Sequence, residues 1–249
     1  MFPVFITVRD QLHCPRNLAR QCRELRNCEP ILLDNGSTYP ETVDWLHSGE
    51  FPAFFHQNLG NNVAWNGGHV LELGDHLRKY GDGYFVVTDV DVDIDGLPVD
   101  LLHDMAALLD ETEARKVALS LRIDDLPEWN PDLDKILSVE TKFWKQERSG
   151  ATSQYFIADS DTHFSMYRAG EGWGGYDGVR IGSPYIARHV PWYWDENNLT
   201  PDVEWYIRHM DSAYSTWSNQ VRYRDWETDR KSTRLNSSHS AKSRMPSSA

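Results

Sequence analysis

A chain of 249 residues is long enough for one large α/β domain or two small ones. The net charge of −13, from 38 acidic and 25 basic residues, would repel a polyanion, so we expect no nucleic-acid partner. Cys14, Cys22 and Cys28 lack the spacing of a disulfide framework or a metal site, and no stretch approaches 18 apolar residues. We therefore expect a cytoplasmic protein, and association with a membrane stays open.

The N-terminal segment predicts a parallel βαβ unit. Residues 4–8, VFITV, form a short apolar and β-branched run that is typical of a buried strand. Pro15 stands where a first helical residue belongs, and a second strand at residues 31–33 ends in the turn cluster Asp34-Asn35-Gly36-Ser37. This order predicts a right-handed crossover between parallel strands.

A third apolar run, residues 51–55, precedes a segment with helical spacing from Val63 to Leu77. Gly67 and Gly68 lie inside that segment, where each glycine costs about 1 kcal/mol relative to Ala. We expect either that a ligand or a strand approaches the bare backbone here, or that the start of the helix is loosely packed.

The most informative stretch is a buried strand that runs into a row of carboxylates. Residues 84–88, YFVVT, have no breaker, and an apolar core would not accept the unpaired acidic groups that follow. Carboxylates at the end of a strand lie where open α/β sheets bind ligands, and hard oxygen ligands suit Mg²⁺, Mn²⁺ or Ca²⁺. The pattern predicts a metal site that holds a phosphorylated ligand, with candidate residues Asp89, Asp91, Asp93 and Asp95.

Three other interpretations of this stretch stay open. Asp91-x-Asp93-x-Asp95-Gly96 resembles the opening of a calcium loop, although Leu102 occupies the twelfth position, where a bidentate Glu is needed. A solvated acidic turn is a second interpretation. A haloacid-type phosphatase is a third, although its motif requires Thr or Val where Asp93 stands.

The rest of the chain completes an open, doubly wound α/β sheet. Pro98 opens an amphipathic helix, and residues 116–122 predict a further strand. Residues 154–168 predict two short strands around Asp159-Ser160-Asp161-Thr162, and Thr200 with Pro201 opens a last helix.

The C-terminal tail differs in composition from the rest of the chain. Residues 232–249 contain seven Ser and three basic residues among eighteen, with no acidic residue, and cannot bury a core. The segment resembles translated sequencing-adapter read-through. We expect residues 224–249 to be a non-native, disordered tail that carries no functional information.

Four short motifs, in order, resemble the GT-A type glycosyltransferases, most closely family 2. In that family the second strand ends in Asp-Asp-Gly-Ser or Asp-Asn-Gly-Ser, later segments read Asn-x-Gly and Ala-Arg-Asn-x-Gly, and an apolar strand ends in Asp-x-Asp. The counterparts here are Asp34-Asn35-Gly36-Ser37, Asn58-Leu59-Gly60, Ala64-Trp65-Asn66-Gly67-Gly68 and Asp89-Val90-Asp91. The resemblance implies a Rossmann-like GT-A domain over residues 1–223, with a nucleotide-sugar half at 1–125 and an acceptor half at 126–223.

The resemblance also implies roles for these residues. Asp34 would hydrogen-bond the nucleobase or ribose of a UDP- or GDP-type sugar donor, and residues 7–9 would line the base pocket. Trp65 stands where the family often has Arg, so a cation that could contact phosphate is missing. The implied donor-binding residues are Thr7, Val8, Arg9, Asp34, Asn66 and Asp89, and the implied ligands of Mn²⁺ or Mg²⁺ are Asp89, Asp91 and His189.

A glycine-rich segment supplies the candidate base. Trp173-Gly174-Gly175-Tyr176-Asp177 is similar to the Trp-Gly-Gly-Glu-Asp loop of some galactosyltransferases, which makes Asp177 the candidate that deprotonates the acceptor hydroxyl. Asp161 is the second candidate. A turn Asp that caps backbone amides is the structural alternative for both, as a purely structural His is for His189.

We expect a metal-dependent glycosyltransferase that moves a sugar from a nucleotide donor to a glycan or another hydroxyl-bearing acceptor, with inversion favoured. A sugar-phosphate nucleotidyltransferase is the alternative enzyme, although residues 10–15 lack the Gly-rich loop that it usually needs. A non-catalytic carbohydrate-binding module of similar fold is the other alternative, and it would have no use for Asp89 and Asp91.

Overall fold

Strands and helices alternate through the described part of the chain, which a computed structural model covers at residues 1–60, 63–67 and 83–210. Residues Met1–Trp205 form one unit, and a second unit begins at Tyr206. The strands are β1 Phe2–Val8, β2 Cys28–Asn35, β3 Ala53–His56, β4 Tyr84–Asp89, β5 Val92–Asp93, β6 Lys116–Leu121, β7 Glu147–Ser149, β8 Gln154–Ile157, β9 Ser165–Arg168 and β10 Val179–His189. The helices are α1 His13–Glu24, α2 Pro40–His47, α3 Val63–Asn66, α4 Leu101–Thr112, α5 Leu133–Glu140 and α6 Pro201–His209, with 3₁₀ helices at Thr141–Trp144 and Val190–Tyr193.

The strands form a ten-stranded mixed sheet in the order β3-β2-β1-β4-β9-β6-β10-β8-β7, with β5 paired to β10. Strands β3, β2, β1 and β4 are parallel, so their carboxyl ends share one edge. The chain leaves β1 toward β2 on one side and returns to β4 on the other. This reversal is a topological switch point, the place where open α/β sheets bind ligands.

The other half of the sheet contains the antiparallel pairs. Strand β9 lies antiparallel between β4 and β6, and β8 lies antiparallel to β10. Strand β5 pairs antiparallel with the end of β10, with Arg188 opposite Asp93 and His189 opposite Val92. The α/β class predicted from the sequence is confirmed.

An aromatic cluster forms part of the buried core around β1 and β4. The Phe85 ring stacks on Tyr167, with 5.4 Å between centroids, and contacts Phe5 edge to face at 6.3 Å. Leu33 and Val87 complete the buried centre of this cluster. Central parallel strands are covered on both faces, so β1 and β4 form continuous apolar runs that a sequence reveals.

The predicted helices agree with the structure where their apolar spacing is regular. Helix α4 buries its apolar face completely but begins at Leu101, three residues after the predicted start at Pro98, and α1 begins at His13, two residues before Pro15. Helix α2 was not predicted, although Pro40 begins it and it buries Thr42, Trp45 and Leu46 on one face. The buried residues of α4 are Leu101, Leu102, Met105, Leu108 and Leu109.

Several predictions fall outside the described residues. These concern Gly68, the helical spacing beyond Gly67 that ends at Leu77, and the tail at 224–249. Within residues 1–60, 63–67 and 83–210, no helix combines the length and the apolar character needed to cross a membrane.

Candidate functional site

Asp89 is the last residue of β4 and lies opposite Thr7 of β1. The Thr162 hydroxyl donates to Asp89 Oδ2 over 2.8 Å, and the Asp89 amide donates back to the Thr162 carbonyl over 3.2 Å. This two-way contact fixes the carboxylate at the carboxyl edge of the sheet. Thr162 was in a predicted turn but was not predicted to contact Asp89.

Asp91 and His189 form the second contact of the site. His189 Nε2 lies 3.4 Å from Asp91 Oδ2, and the Val190 amide donates to the Asp91 carbonyl over 2.8 Å. The pairing of β5 with β10 produces this contact, because it brings the end of β10 beside the turn after β4. The structure therefore joins two of the three predicted metal ligands.

The charges of this pair stabilise each other. Burial alone would raise the pKa of Asp91, but the His189 charge and hydrogen bond outweigh it and the pKa is lowered. Burial alone would lower the pKa of His189, but Asp91 and then Asp89 outweigh it and the pKa is raised. The other ring nitrogen, Nδ1, is buried and has no hydrogen-bond partner among the described residues.

Asp89 is buried close to other negatively charged side chains. Burial raises its pKa to about 7, with the neighbouring charges of Asp91 and Asp161 adding to the effect, against the hydrogen bond from Thr162 and the charge of His189. A carboxylate whose pKa is shifted by burial and by like charges is a frequent mark of a functional site. A bound divalent cation would relieve this repulsion.

The donor set fits a metal only in part. Carboxylate oxygens and an imidazole suit Mn²⁺, but in the described ranges no three His, Cys, Asp or Glu side chains are grouped closely enough to hold an ion. Mg²⁺-type sites commonly use one or two carboxylates and complete their shell with water and substrate phosphates. Asp89 and Asp91 have the donor chemistry of that type of site, whereas His189 Nε2 is engaged by Asp91.

The remaining acidic residues of the row have other roles. Asp93 Oδ1 accepts from Gln21 Nε2 over 2.7 Å and from the Asp95 amide over 3.0 Å. Leu102, at the position that the calcium loop needs for its bidentate ligand, is fully buried in α4. This arrangement disfavours the calcium-loop interpretation.

The nucleoside end of the predicted site lies two strands away from Asp89. Asp34 of β2 is opposite Val8 of β1, and its Oδ1 accepts from the Ser37 amide over 3.0 Å. Arg9 follows β1 directly, and its Nε is buried 4.0 Å from Asp10 Oδ2, without a hydrogen-bond partner in the described part of the chain. The sheet therefore brings residues 7–9, Asp34 and Asp89 to one edge, as predicted.

Two of the family-like motifs contact each other directly. The Asn35 side chain donates to the Gly60 carbonyl and accepts from the Leu59 amide, both over 2.9 Å. Gly36 has a φ of 80°, and an added Cβ would lie 3.0 Å from the Asn58 nitrogen. Asn66 Nδ2 donates to the Leu59 carbonyl over 3.1 Å, so this predicted donor-binding residue supports the loop.

Other atoms approach the bare backbone at Gly67 closely, as one of the two expectations for this segment required. A Cβ at Gly67 would lie 2.8 Å from the Val63 carbonyl oxygen and 3.0 Å from the His56 ring. The close neighbours are thus the preceding helical turn and the side chain that ends β3.

Asp10 is a supporting residue that the sequence did not reveal. Its carboxylate accepts from the Thr38 amide, from the Thr38 hydroxyl at 3.1 Å and from the Tyr39 amide at 2.9 Å. Its own amide donates to Ser37 Oγ over 2.9 Å. Asp10 thus caps α2, which has no side-chain cap of its own, and holds the loop that carries Asp34.

The two candidate bases lie in different surroundings. Both Asp161 and Asp177 are exposed. Asp161 precedes Thr162 and is close enough for its charge to raise the pKa of Asp89, whereas the charge of Asp177 acts on Lys116. Asp161 is therefore the candidate base that adjoins the contact between Thr162 and Asp89.

Side chains from outside the loop hydrogen-bond to residues 171–177, the glycine-rich loop, near both of its ends. Trp65 Nε1 donates to the Glu171 carbonyl over 3.3 Å, and Lys116 Nζ donates to the Gly175 carbonyl over 2.7 Å. The Trp65 ring also contacts Tyr167 edge to face at 5.4 Å. Where the resembling family often has a phosphate-binding Arg, this chain has a residue that supports the glycine-rich loop.

A scan against protein-family models and a search of curated proteins found no match to this chain. Function is therefore inferred from the geometry of the site and from the motifs.

Proposed function

We propose that the chain is a GT-A type glycosyltransferase that uses a divalent cation and a UDP- or GDP-type sugar donor. The acceptor is a hydroxyl group, on a glycan or another molecule. Inversion at the anomeric carbon is the proposed outcome, because an Asp base serves direct displacement.

One observation carries the proposal. Asp34, Arg9 and Asp89 lie at or directly after the carboxyl ends of the neighbouring parallel strands β2, β1 and β4, at the switch point of the sheet. Two strand spacings separate Asp34 from Asp89, which is about 10 Å along the edge. A nucleoside on Asp34 would thus lie with its diphosphate near Asp89 and Asp91.

The residues divide the chemistry between them. Asp89 and Asp91 would hold the cation, with His189 as a further ligand, and the cation would neutralise the charge of the departing nucleoside diphosphate. Asp161 or Asp177 would accept the proton of the acceptor hydroxyl. Thr162 would keep the Asp89 carboxylate in place.

Donor turnover tests the proposal. The protein is incubated with UDP- and GDP-sugars in Mn²⁺, Mg²⁺ or EDTA, and released nucleoside diphosphate is quantified by chromatography. We expect metal-dependent release of UDP or GDP that Asp91→Asn abolishes and the exposed control Asp95→Asn retains. Pyrophosphate release from a nucleoside triphosphate and a sugar phosphate would instead identify the nucleotidyltransferase. The absence of turnover with every donor, or full activity of Asp91→Asn, would contradict the proposal.

A further inference from the structure

Lys116 is a buried cation beside the proposed active site. It is the first residue of β6, lies opposite Tyr167 of β9, and its exposed fraction is 0%. Lys is rarely buried completely unless its ammonium group has partners, because removing a charge from water is costly. Packing alone therefore does not explain a lysine at this position.

The charges around Lys116 reflect that burial. Burial, together with the charge of Arg180, lowers the pKa of the Lys116 ammonium to about 8, although the carboxylates of Asp161, Asp159 and Asp177 oppose the shift. The carboxylates come from the two loops that surround the ammonium group. The cation and these two loops thus stabilise each other.

The contacts of Lys116 connect those loops. Its Nζ donates to the Gly175 carbonyl over 2.7 Å and lies 3.5 Å from the Asp161 carbonyl. The backbone at Gly178 packs against the aliphatic part of the Lys116 side chain. A Cβ added at Gly178 would lie 2.9 Å from Lys116 Cγ and 3.1 Å from Ser160 Oγ. The Ser160 amide also donates to the Tyr176 carbonyl over 2.9 Å, so the Lys116 side chain and one backbone hydrogen bond join the glycine-rich loop to residues 159–162.

Each loop leads to a different part of the proposed site. The Asp161 carbonyl is one residue from Thr162, which contacts Asp89. The Gly175 carbonyl is two residues from Asp177. Gly174 and Gly175 both have a positive φ, 68° and 77°, and offer no side chain for anchoring, so a donor must reach their carbonyl groups from elsewhere.

We propose that Lys116 is a positioning residue that fixes the glycine-rich loop, and the candidate base on it, relative to Asp89. This inference rests on the proposed function. Lys116 does not contact the donor site itself, so it acts on turnover and not on donor binding. Trp65 holds the other end of the loop at Glu171.

Two variants of Lys116 separate the hydrogen bond from packing. Lys116→Met keeps the length of the side chain but removes the donor, whereas Lys116→Gln keeps an N–H donor without the charge. We expect Lys116→Met to lower kcat for metal-dependent donor turnover by about 100-fold, with KM for the donor within about twofold of wild type. Lys116→Gln should keep kcat within about tenfold of wild type.

Hydrogen exchange measured by mass spectrometry reports the loop directly. In Lys116→Met, the amides of residues 171–177 should exchange at least about tenfold faster, while those of residues 84–93 keep their rate. The calorimetric affinity for UDP with Mn²⁺ should stay within about twofold of wild type. If Lys116→Met does not fold, Lys116→Leu, which also removes the donor and keeps an apolar stem, carries the same expectations.

Three results would overturn the inference: wild-type exchange of the glycine-rich loop in Lys116→Met, wild-type kcat in that variant, or equal losses in Lys116→Met and Lys116→Gln. Failure of the proposed function is a separate result, namely that wild type neither binds UDP with Mn²⁺ nor releases it from any donor. The exchange measurement would then still decide whether Lys116 anchors the loop.

Discussion

Asp10 links the stability of the fold to the nucleoside end of the proposed site. It is 1% exposed, its φ is 59°, and its carboxylate receives two backbone amides at the start of α2. Loss of a helix-capping carboxylate costs about 1 to 2 kcal/mol. Ala in the left-handed region adds about 1 kcal/mol of strain. We therefore expect Asp10→Ala to lower the free energy of unfolding by about 2 to 3 kcal/mol.

Urea denaturation of three variants separates the two contributions. Asp10→Gly loses the carboxylate without the strain, so it should be about 1 kcal/mol more stable than Asp10→Ala. Asp10→Asn tolerates the positive φ and keeps one acceptor oxygen, so its loss should be the smallest. A free energy of unfolding for Asp10→Ala within about 0.5 kcal/mol of wild type would refute the reasoning.

The same variants should affect nucleotide binding. The Asp10 amide contacts Ser37, and the Ser37 amide contacts Asp34, so a loosened cap leaves the Asp34 loop less preorganised. We expect the affinity of Asp10→Ala for UDP with Mn²⁺ to fall about five- to tenfold under conditions where the protein is fully folded. Unchanged affinity would show that the loop keeps its position without Asp10.

Three further predictions concern single residues. Asp202 is fully buried and accepts from the Leu12 amide over 2.7 Å; burial tends to raise its pKa, but hydrogen bonds outweigh it and the pKa is lowered. Its folded pKa is below the unfolded value, so its contribution is complete above about pH 4 and is lost as the pH falls through the folded pKa. Denaturation as a function of pH should show that Asp202→Asn costs about 1 to 3 kcal/mol at pH 7 and has a flatter acid limb, and equal slopes would contradict this. Gly36→Ala should lower both the affinity for UDP and the thermal stability, because its Cβ would lie 3.0 Å from the Asn58 nitrogen at a positive φ. Calorimetry measures the affinity and thermal denaturation the stability, and wild-type values of both would show that the loop accommodates the methyl group without cost. Thr162→Val removes the hydroxyl that contacts Asp89 and should weaken Mn²⁺-dependent UDP binding about threefold to tenfold, with UDP binding in EDTA as the control. An undiminished Mn²⁺ effect in Thr162→Val would exclude this supporting role.

The sequence revealed the elements whose signals are local. Strand β4 is a continuous apolar segment that was predicted within one residue of its observed end, and helix α4 is a periodic one that was predicted to start three residues before Leu101. Helix α2 was missed although Pro40 is a local start signal, because its eight residues bury only Thr42, Trp45 and Leu46 and form no extended apolar pattern. The early start of α1 has a non-local cause, since Asp202, which accepts the Leu12 amide, is 190 residues further along the chain.

In the candidate site, too, the positions of some residues follow from local patterns and those of others depend on contacts between distant segments. The positions of Asp34 and Asp89 followed from the rule that parallel strands share a carboxyl edge. The contact between Asp91 and His189 depends on an antiparallel pairing of distant segments, which no local pattern reveals. In the sequence, Lys116 resembles an ordinary polar residue at the start of a strand. Its contacts with the two loops are visible only in the folded structure.

Calorimetric titration of UDP tests the central claim most directly, with wild type, Asp91→Asn and Asp95→Asn measured in Mn²⁺ and in EDTA. If Asp89 and Asp91 hold a cation against the donor diphosphate, Mn²⁺ should raise the affinity of wild type and Asp95→Asn for UDP by at least about tenfold, and should leave Asp91→Asn unchanged. Equal wild-type affinity in Mn²⁺ and EDTA, or a full Mn²⁺ effect in Asp91→Asn, would contradict the account.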